Sequence, residues 1–320
     1  MKFPWLKYLP LALLVLALVA CGNPQEAARL KLGQMKLKYS DDTFVRVAQE
    51  GNVKAVQLFL QAGMKPNVTD KNGQTALLVA SRYGRKPMVK VLLTAGADPN
   101  VREARFGATP LQWAAVGGFP GIVKLLLNHG ADLMARDSKN GMTALMSAAL
   151  AGKNKVIKIL LNKGAEVNAG DKDNRTALMW AAHYGHADAA KLLLDKGANP
   201  AIKEKLWGTN ALIIAADAGK ADVVKALLNR GADVNAVDNR GKTALMYAAR
   251  NGRPEVVKLL LARQANLSLK DRKGNTALSL AQDYRQKDII EMLKKAGSPA
   301  GAASQKGEVT PKPAPGKARK

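Results

Sequence analysis

The sequence predicts an all-α solenoid of about eight helix-turn-helix units joined by β-turn fingers. Two recurrences running in step predict it. Gly-Ala-Asp or a near copy returns every 33 or 34 residues, at Gly96, Gly130, Gly164, Gly197 and Gly231. A Thr-Ala-Leu or Thr-Pro-Leu triplet keeps the same beat, at Thr75, Thr109, Thr143, Thr176, Thr243 and Thr276. A fixed period of this length marks one supersecondary unit stacked many times. A third observation sets the limits of the array: both ends of the chain lose the period and change composition.

The first segment is a leader. Lys2 and Lys7 flank an uncharged apolar run from Tyr8 to Ala20. That run is too short for an ordinary transmembrane helix and suits the apolar region of a signal peptide. It closes on Leu18-Val19-Ala20-Cys21, and Cys21 is the only cysteine of the chain. These residues resemble the lipobox of bacterial lipoproteins. The resemblance implies that Cys21 is lipidated and becomes the first mature residue. Gly22 and Asn23 follow it where an Asp would favour inner-membrane retention. The resemblance therefore implies an outer-membrane anchor facing the periplasm, or the outer face of a single membrane in a monoderm host. A plain secretory signal with an incidental cysteine is the alternative. A chain with one cysteine forms no intramolecular disulfide, no thiolate metal cluster and no structural cross-link.

Residues 1–20 are thus expected as leader and 21–40 as a short polar tether with helical character from Glu26 to Leu37. Residues 41–297 hold the repeats. Residues 298–320 are rich in Pro, Gly, Ala and Lys and are expected to be disordered.

Within a unit, each position has a physical reason. Asp70 to Gly73 reads as a tight turn. Thr75 caps the first helix with its hydroxyl, and Ala76, or Pro110 one unit later, suits its first turn. Leu77 and Ala80 point into the stack. Gly84 breaks the chain so that the second helix runs back antiparallel. Val89, Leu92 and Leu93 form that helix's apolar stripe, and Gly96 ends it in the left-handed conformation. The pattern resembles the ankyrin repeat over residues 41–297. The first unit (41–69) and the last (270–297) depart from it, as terminal caps do. Asn210 replaces the capping Thr, and Gln264 replaces a helix-ending Gly at some cost. In the third and sixth units an extra turn residue gives Arg105-Phe106-Gly107 and Leu206-Trp207-Gly208.

Chemistry-bearing patterns are sparse. His183 and His186 are three apart, but no cysteine or carboxylate pair accompanies them, and His129 sits in the last turn of a helix. Asp171-Lys172-Asp173 begins like a calcium loop and lacks the Gly and Glu that such a loop requires. No enzyme, metal or cofactor is expected. The formal charge is +25. On an exported chain it points to acidic proteins or envelope polyanions, and away from nucleic acid and small-molecule substrates.

Three surface features remain. Lys90, Lys124, Lys158, Lys191, Lys225 and Lys258 form a column on the second helices, read as a solvated face. Trp113, Trp180 and Tyr247 share one first-helix position, where core packing and partner contact both stay open. The resemblance implies a recognition face of turn tips and first-helix ends. It comprises Lys71, Gln74, Arg105, Phe106, Lys139, Lys172, Arg175, Trp207, Arg240 and Lys242 on the turns, with Arg82, Tyr83, His183, Tyr184 and Arg250 on the helices. Phe106 and Trp207 are expected to be exposed. The function expected is non-enzymatic binding of an acidic envelope protein. An inhibitor or immunity protein for a toxic envelope enzyme, and a binder of polyanions or membrane surface, stand as alternatives.

Overall fold

The computed structural model describes residues 23–297; Cys21, the leader and the 298–320 tail lie outside them. The described residues form seventeen helices and no strand, an all-α repeat fold. The chain divides into two compact units, Met1–Lys172 and Asp173–Lys320.

The first unit holds α1 (Pro24–Gln34), α2 (Asp41–Glu50), α3 (Val53–Gln61), α4 (Ala76–Arg82), α5 (Lys86–Thr94), α6 (Pro110–Gly117), α7 (Pro120–Asn128), α8 (Ala144–Leu150) and α9 (Asn154–Asn162). Two rows result. The first helices α2, α4, α6 and α8 pack in series, and the second helices α3, α5, α7 and α9 form a parallel row. Alanines let the first helices approach closely: Ala76, Ala80, Ala114, Ala115, Ala148 and Ala149 are all buried. Leu92, Leu126 and Leu160 fill the space behind them.

Helix α1 packs on α3 and so takes the place of a second helix ahead of the first repeat. Its Ala27, Ala28 and Leu32 are buried, Leu32 to 1% exposure. Arg29 lies 4.8 Å from the Tyr39 ring, which stacks on Phe59 at 5.7 Å, and the Tyr39 hydroxyl donates to the Ala62 carbonyl at 3.2 Å. The segment expected as a tether therefore closes the apolar end of the stack. The sparse apolar residues of α1 hid this, since three small or branched side chains are enough to cover one helix.

The second unit holds α10 (Ala177–Tyr184), α11 (Ala187–Asp195), α12 (Ala211–Asp217), α13 (Ala221–Asn229), α14 (Ala244–Arg250), α15 (Pro254–Ala262), α16 (Ala277–Asp283) and α17 (Lys287–Gly297). The same two rows recur, α10-α12-α14-α16 and α11-α13-α15-α17. At the far end α17 buries only Ile289 and Leu293 and turns its charged residues outward.

Caps follow the sequence. The hydroxyls of Thr75, Thr109, Thr143, Thr176, Thr243 and Thr276 accept the backbone N–H three residues on, and the Asn210 amide oxygen does the same for Ile213 at 3.0 Å. After the Gly-Ala-Asp step, an asparagine joins adjacent loops: Asn67, Asn100 and Asn235 accept from Asp98, Asp132 and Asn266.

The inter-helix glycines are conformational necessities. Gly84 has φ +72°, and a Cβ there would meet the Phe119 ring at 2.7 Å. The last repeat has Arg285 at the equivalent place, with φ 56°, and Gln264 is left-handed too, at φ 59°. Left-handed backbone costs a side-chain-bearing residue about 1–2 kcal/mol. Arg285→Gly is therefore expected to raise the unfolding free energy by up to about 1 kcal/mol after glycine's entropy is offset. Gly84→Ala is expected to lower it by about 1–3 kcal/mol. Urea unfolding monitored by circular dichroism checks both signs.

Candidate functional site: turn tips and first-helix ends

Each turn is built around one carboxylate. Asp70 Oδ1 accepts the N–H groups of Asn72 and Gln74 at 2.9 and 2.8 Å. Glu103 accepts from Phe106, and Asp137 from Asn140, Gly141 and Met142. Glu204 accepts from Leu206, Trp207 and Thr209 at 2.7, 2.8 and 3.0 Å. Asp238 and Asp271 hold the last two turns in the same way. Asp171, the residue that resembled a calcium ligand, occupies this structural position and is buried. No cluster of three or more potential metal ligands occurs among the described residues.

The turns come in two lengths. After Asp70, Asp238 and Asp271 the closing backbone bond spans four residues; after Glu103, Asp137 and Glu204 it spans five. Asn140-Gly141 is thus a third extended turn beside Phe106-Gly107 and Trp207-Gly208. Within each unit the tips also bond to one another. Ser138 N donates to Phe106 O, and Lys172 N to Asn140 O; in the second unit Lys205 N donates to Asp173 O and Asn239 N to Trp207 O. Arg102, Arg136 and Lys203 staple these turns by donating to carbonyls of the next one. Sequence reasoning missed both the carboxylates and the staples. The signal was present: an acidic residue stands five or six positions before each helix-capping Thr or Asn.

On this rigid edge, cations and rings alternate. In the first unit the Arg82 guanidinium lies 4.5 Å from the Trp113 ring and 5.9 Å from that of Tyr83. Phe106 is flanked by Arg105 at 4.9 Å and Lys139 at 5.0 Å. Contrary to expectation, Phe106 is only half-exposed. Its ring leans into a cleft of about 170 Å³ with Trp113, Val116, Met142 and Leu150. Lys71 is exposed at its tip, Gln74 reaches Glu103 at 3.4 Å, and Lys172 Nζ donates to the Ser138 and Lys139 carbonyls. Lys172 therefore helps to hold the turn.

In the second unit Arg175 lies 5.4 Å from the Trp180 ring, and Trp180 stacks on Tyr184 at 6.3 Å. His183 meets Tyr184 edge-on at 5.0 Å. Trp207 is 49% exposed, as expected, and carries the Arg240 guanidinium at 4.5 Å. Tyr247 is buried, yet its hydroxyl is polar-bound: it donates to Asp238 Oδ2 at 2.8 Å and contacts Arg240. Burial and the Asp238 carboxylate push the Tyr247 phenol up to about 12. Burial opposes the Arg240 charge, but Tyr247 and Asp238 outweigh it and raise its affinity for the proton. Arg250 lies 5.5 Å from Tyr247 and 5.8 Å from Tyr284. The shared position of Trp113, Trp180 and Tyr247 thus serves packing and polar display together.

The second-helix lysines Lys90, Lys124, Lys158, Lys191, Lys225 and Lys258 are all exposed. Lys191 and Lys258 are paired one turn back with Asp188 and Glu255.

With this geometry the comparisons agree. The chain matches the family of ankyrin repeats in three stretches, residues 44–137, 134–204 and 212–302. It belongs to the ankyrin-repeat family, whose members are in general non-enzymatic protein-interaction modules. It is 33% identical over 69 residues to an ankyrin repeat protein of Escherichia coli K12, covering 22% of this chain and 34% of that one. It is 37% identical over 89 residues to an ankyrin repeat-containing protein of Treponema pallidum, covering 26% and 29%. It is 36% identical over 98 residues to the human 2-5A-dependent ribonuclease, covering 30% and 13%. The chain thus spans about a third or less of these curated relatives.

Burial alone would raise the Glu204 pKa, but the Thr209, Trp207 and Leu206 donors outweigh it and hold it below 4.5. A depressed carboxylate stabilises the fold above its unfolded pKa, and the contribution disappears as pH falls through the folded value. Between about pH 5 and pH 3 the urea midpoint of the native chain should therefore fall more steeply than that of Glu204→Gln.

Proposed function

We propose that the chain is a non-enzymatic binding module, held on the bacterial envelope through a lipidated Cys21, whose turn tips and first-helix ends bind an acidic envelope protein. The observation that supports this most is the alternation of guanidinium and ring at the tips of each unit, Arg82–Trp113 and Arg105–Phe106 in the first and Arg240–Trp207 and Arg250–Tyr284 in the second. Arg, Trp and Tyr are the residue types that dominate interface energetics. Stacked guanidinium groups on hydrogen-bonded turns lose less freedom on binding than free side chains do. The net charge of +25 favours approach of an acidic partner.

The leader and its lipobox-like end support the anchor. Asn23 caps α1 and lies two residues after Cys21, about 7 Å of extended chain. Acyl chains on Cys21 would therefore hold the first helix close to the headgroups, and the Gly22-Asn23 pair favours the outer membrane facing the periplasm. Within the described residues no helix is long and apolar enough to cross a membrane.

Two measurements test this reading. Cys21→Ser should move the protein from the membrane fraction to the soluble fraction. Crosslinking and pull-down from the protein's own envelope should return one acidic protein at ordinary salt. Phe106→Ala with Trp207→Ala should weaken that capture by about 2 kcal/mol or more, while replacing Lys191, Lys225 and Lys258 by Gln should leave it intact. The reverse pattern, with steep salt dependence, would mark a polyanion binder instead.

A further inference from the structure

Lys242, Arg240 and Arg250 converge on one ring. Lys242 Nζ lies 5.9 Å, Arg240 5.9 Å and Arg250 5.5 Å from the centre of Tyr247. The nearby carboxylates are already engaged. Asp238 is buried and accepts from Arg240 N, Lys242 N and Tyr247. Asp217 accepts from Asn251 at 2.7 Å and sits 3.8 Å from Arg250. The Lys242 ammonium, half-buried, has no hydrogen-bond acceptor among the described residues. Burial and then the charges of Arg250 and Arg240 push its proton affinity down, and the attraction of Asp271 and Asp238 does not compensate. Arg240 pairs with Asp238 and Arg250 with Asp217, so of the three cations Lys242 is the one with no ion pair among the described residues, and a ligand's negative charge beside it relieves the repulsion of its neighbours.

One to two repeats back, a cleft of about 250 Å³ opens between Trp180 and Trp207, lined also by Met179, Leu206 and Ile214. Trp180 Nε1 is shielded from water there and has no acceptor among the described residues. Trp207 links the two features, since its ring lines the cleft and carries Arg240 at 4.5 Å.

We infer that the second unit carries a subsite for an acidic peptide, which places an apolar side chain in the Trp180–Trp207 cleft and a carboxylate against Lys242 and Arg250. Lys242 and Arg250 lie one repeat beyond Trp207 and two beyond Trp180, about 10–20 Å, so about three to six extended residues separate the two groups. A free phosphate or a lipid headgroup would meet the cations and leave the cleft empty, which is why a peptide is favoured. The subsite rests on the protein-binding role proposed for the chain.

Selection of a random-peptide phage library on the full chain in detergent micelles tests it. The enriched peptides are expected to pair a Trp, Phe or Leu with an Asp or Glu about three to six positions away. Lys242→Met with Arg250→Met, and separately Trp180→Phe, should each weaken the strongest peptide about tenfold or more, with unchanged urea midpoints. Replacing the peptide's acid by its amide should cost as much, and should cost nothing further on the Lys242→Met, Arg250→Met background. Enriched peptides without an acid, or insensitive to these variants, overturn the subsite. So does binding of phosphatidylglycerol vesicles through Lys242 and Arg250 in the absence of any enriched peptide. Peptides that depend on Phe106 or Arg82 overturn it and leave the broader protein-binding role standing; a chain that enriches no peptide and captures no envelope protein overturns both.

Discussion

The turns of this protein depend on a carboxylate at the base of each one, buried at Glu103, Asp171, Glu204, Asp238 and Asp271 and half-buried at Asp70 and Asp137. Glu204 accepts three backbone N–H groups and the Thr209 hydroxyl, and Asp271 accepts two N–H groups and the Asn275 amide. Burial opposes these charges, yet the donors win, and both groups hold their protons more weakly than an ordinary carboxylate. The bonds are charge-assisted and so roughly twice as strong as neutral ones. They convert a connecting loop, usually the mobile part of a fold, into a fixed edge. Turn length follows the same logic: Glu103 and Glu204, one methylene longer, serve two of the turns that carry an extra residue, and Asp137 serves the third.

A fixed edge lets weak surface contacts matter. A lone exposed arginine contributes little, but Arg240 is held by Asp238, Tyr247 and Trp207 together. Its orientation is set by the turn that Asp238 closes, which sits above α14, which in turn is positioned by the buried alanines of its row. The chain from core to surface is short: small residues bring helices close, close helices bring turns within hydrogen-bond reach, and linked turns array cations against rings. Among the described residues the column lysines of the second helices show no such coupling, although the helix ends are linked by Arg230–Asp195 and Arg263–Asn229. These lysines stand on solvated faces, and two of them already pair with an acidic neighbour.

The architecture was legible in the sequence because repetition averages out local ambiguity. Thr75, Gly84 and Gly96 each have a single physical reason, and each recurs. The departures were legible as well: Asn210 caps, and Gln264 sits in the left-handed conformation that its glycine predecessors adopt without strain. What the sequence hid were interactions between units. Nothing local marks Arg102 or Arg136 as staples, because their acceptors lie 34 residues away. Phe106 read as exposed because the cleft that shelters it is built by Met142 and Leu150 of the following repeat. The docking of α1 was hidden likewise, since Leu32 finds its contacts on a helix that begins twenty residues later. The division of labour along the expected recognition face, with Lys172 holding a turn and Lys242 lacking an acceptor among the described residues, needed coordinates.

The central claim is that the turn-tip edge, and not the lysine-bearing helix face, meets the partner. Photo-crosslinking in living cells tests it most directly, with a benzophenone side chain placed in turn at Trp207, Lys242, Lys225 and Lys258 of the full chain. The account predicts a single acidic protein adduct from Trp207 and Lys242 and none from the two helix positions. Adducts from Lys225 and Lys258 with none from the tips would contradict it.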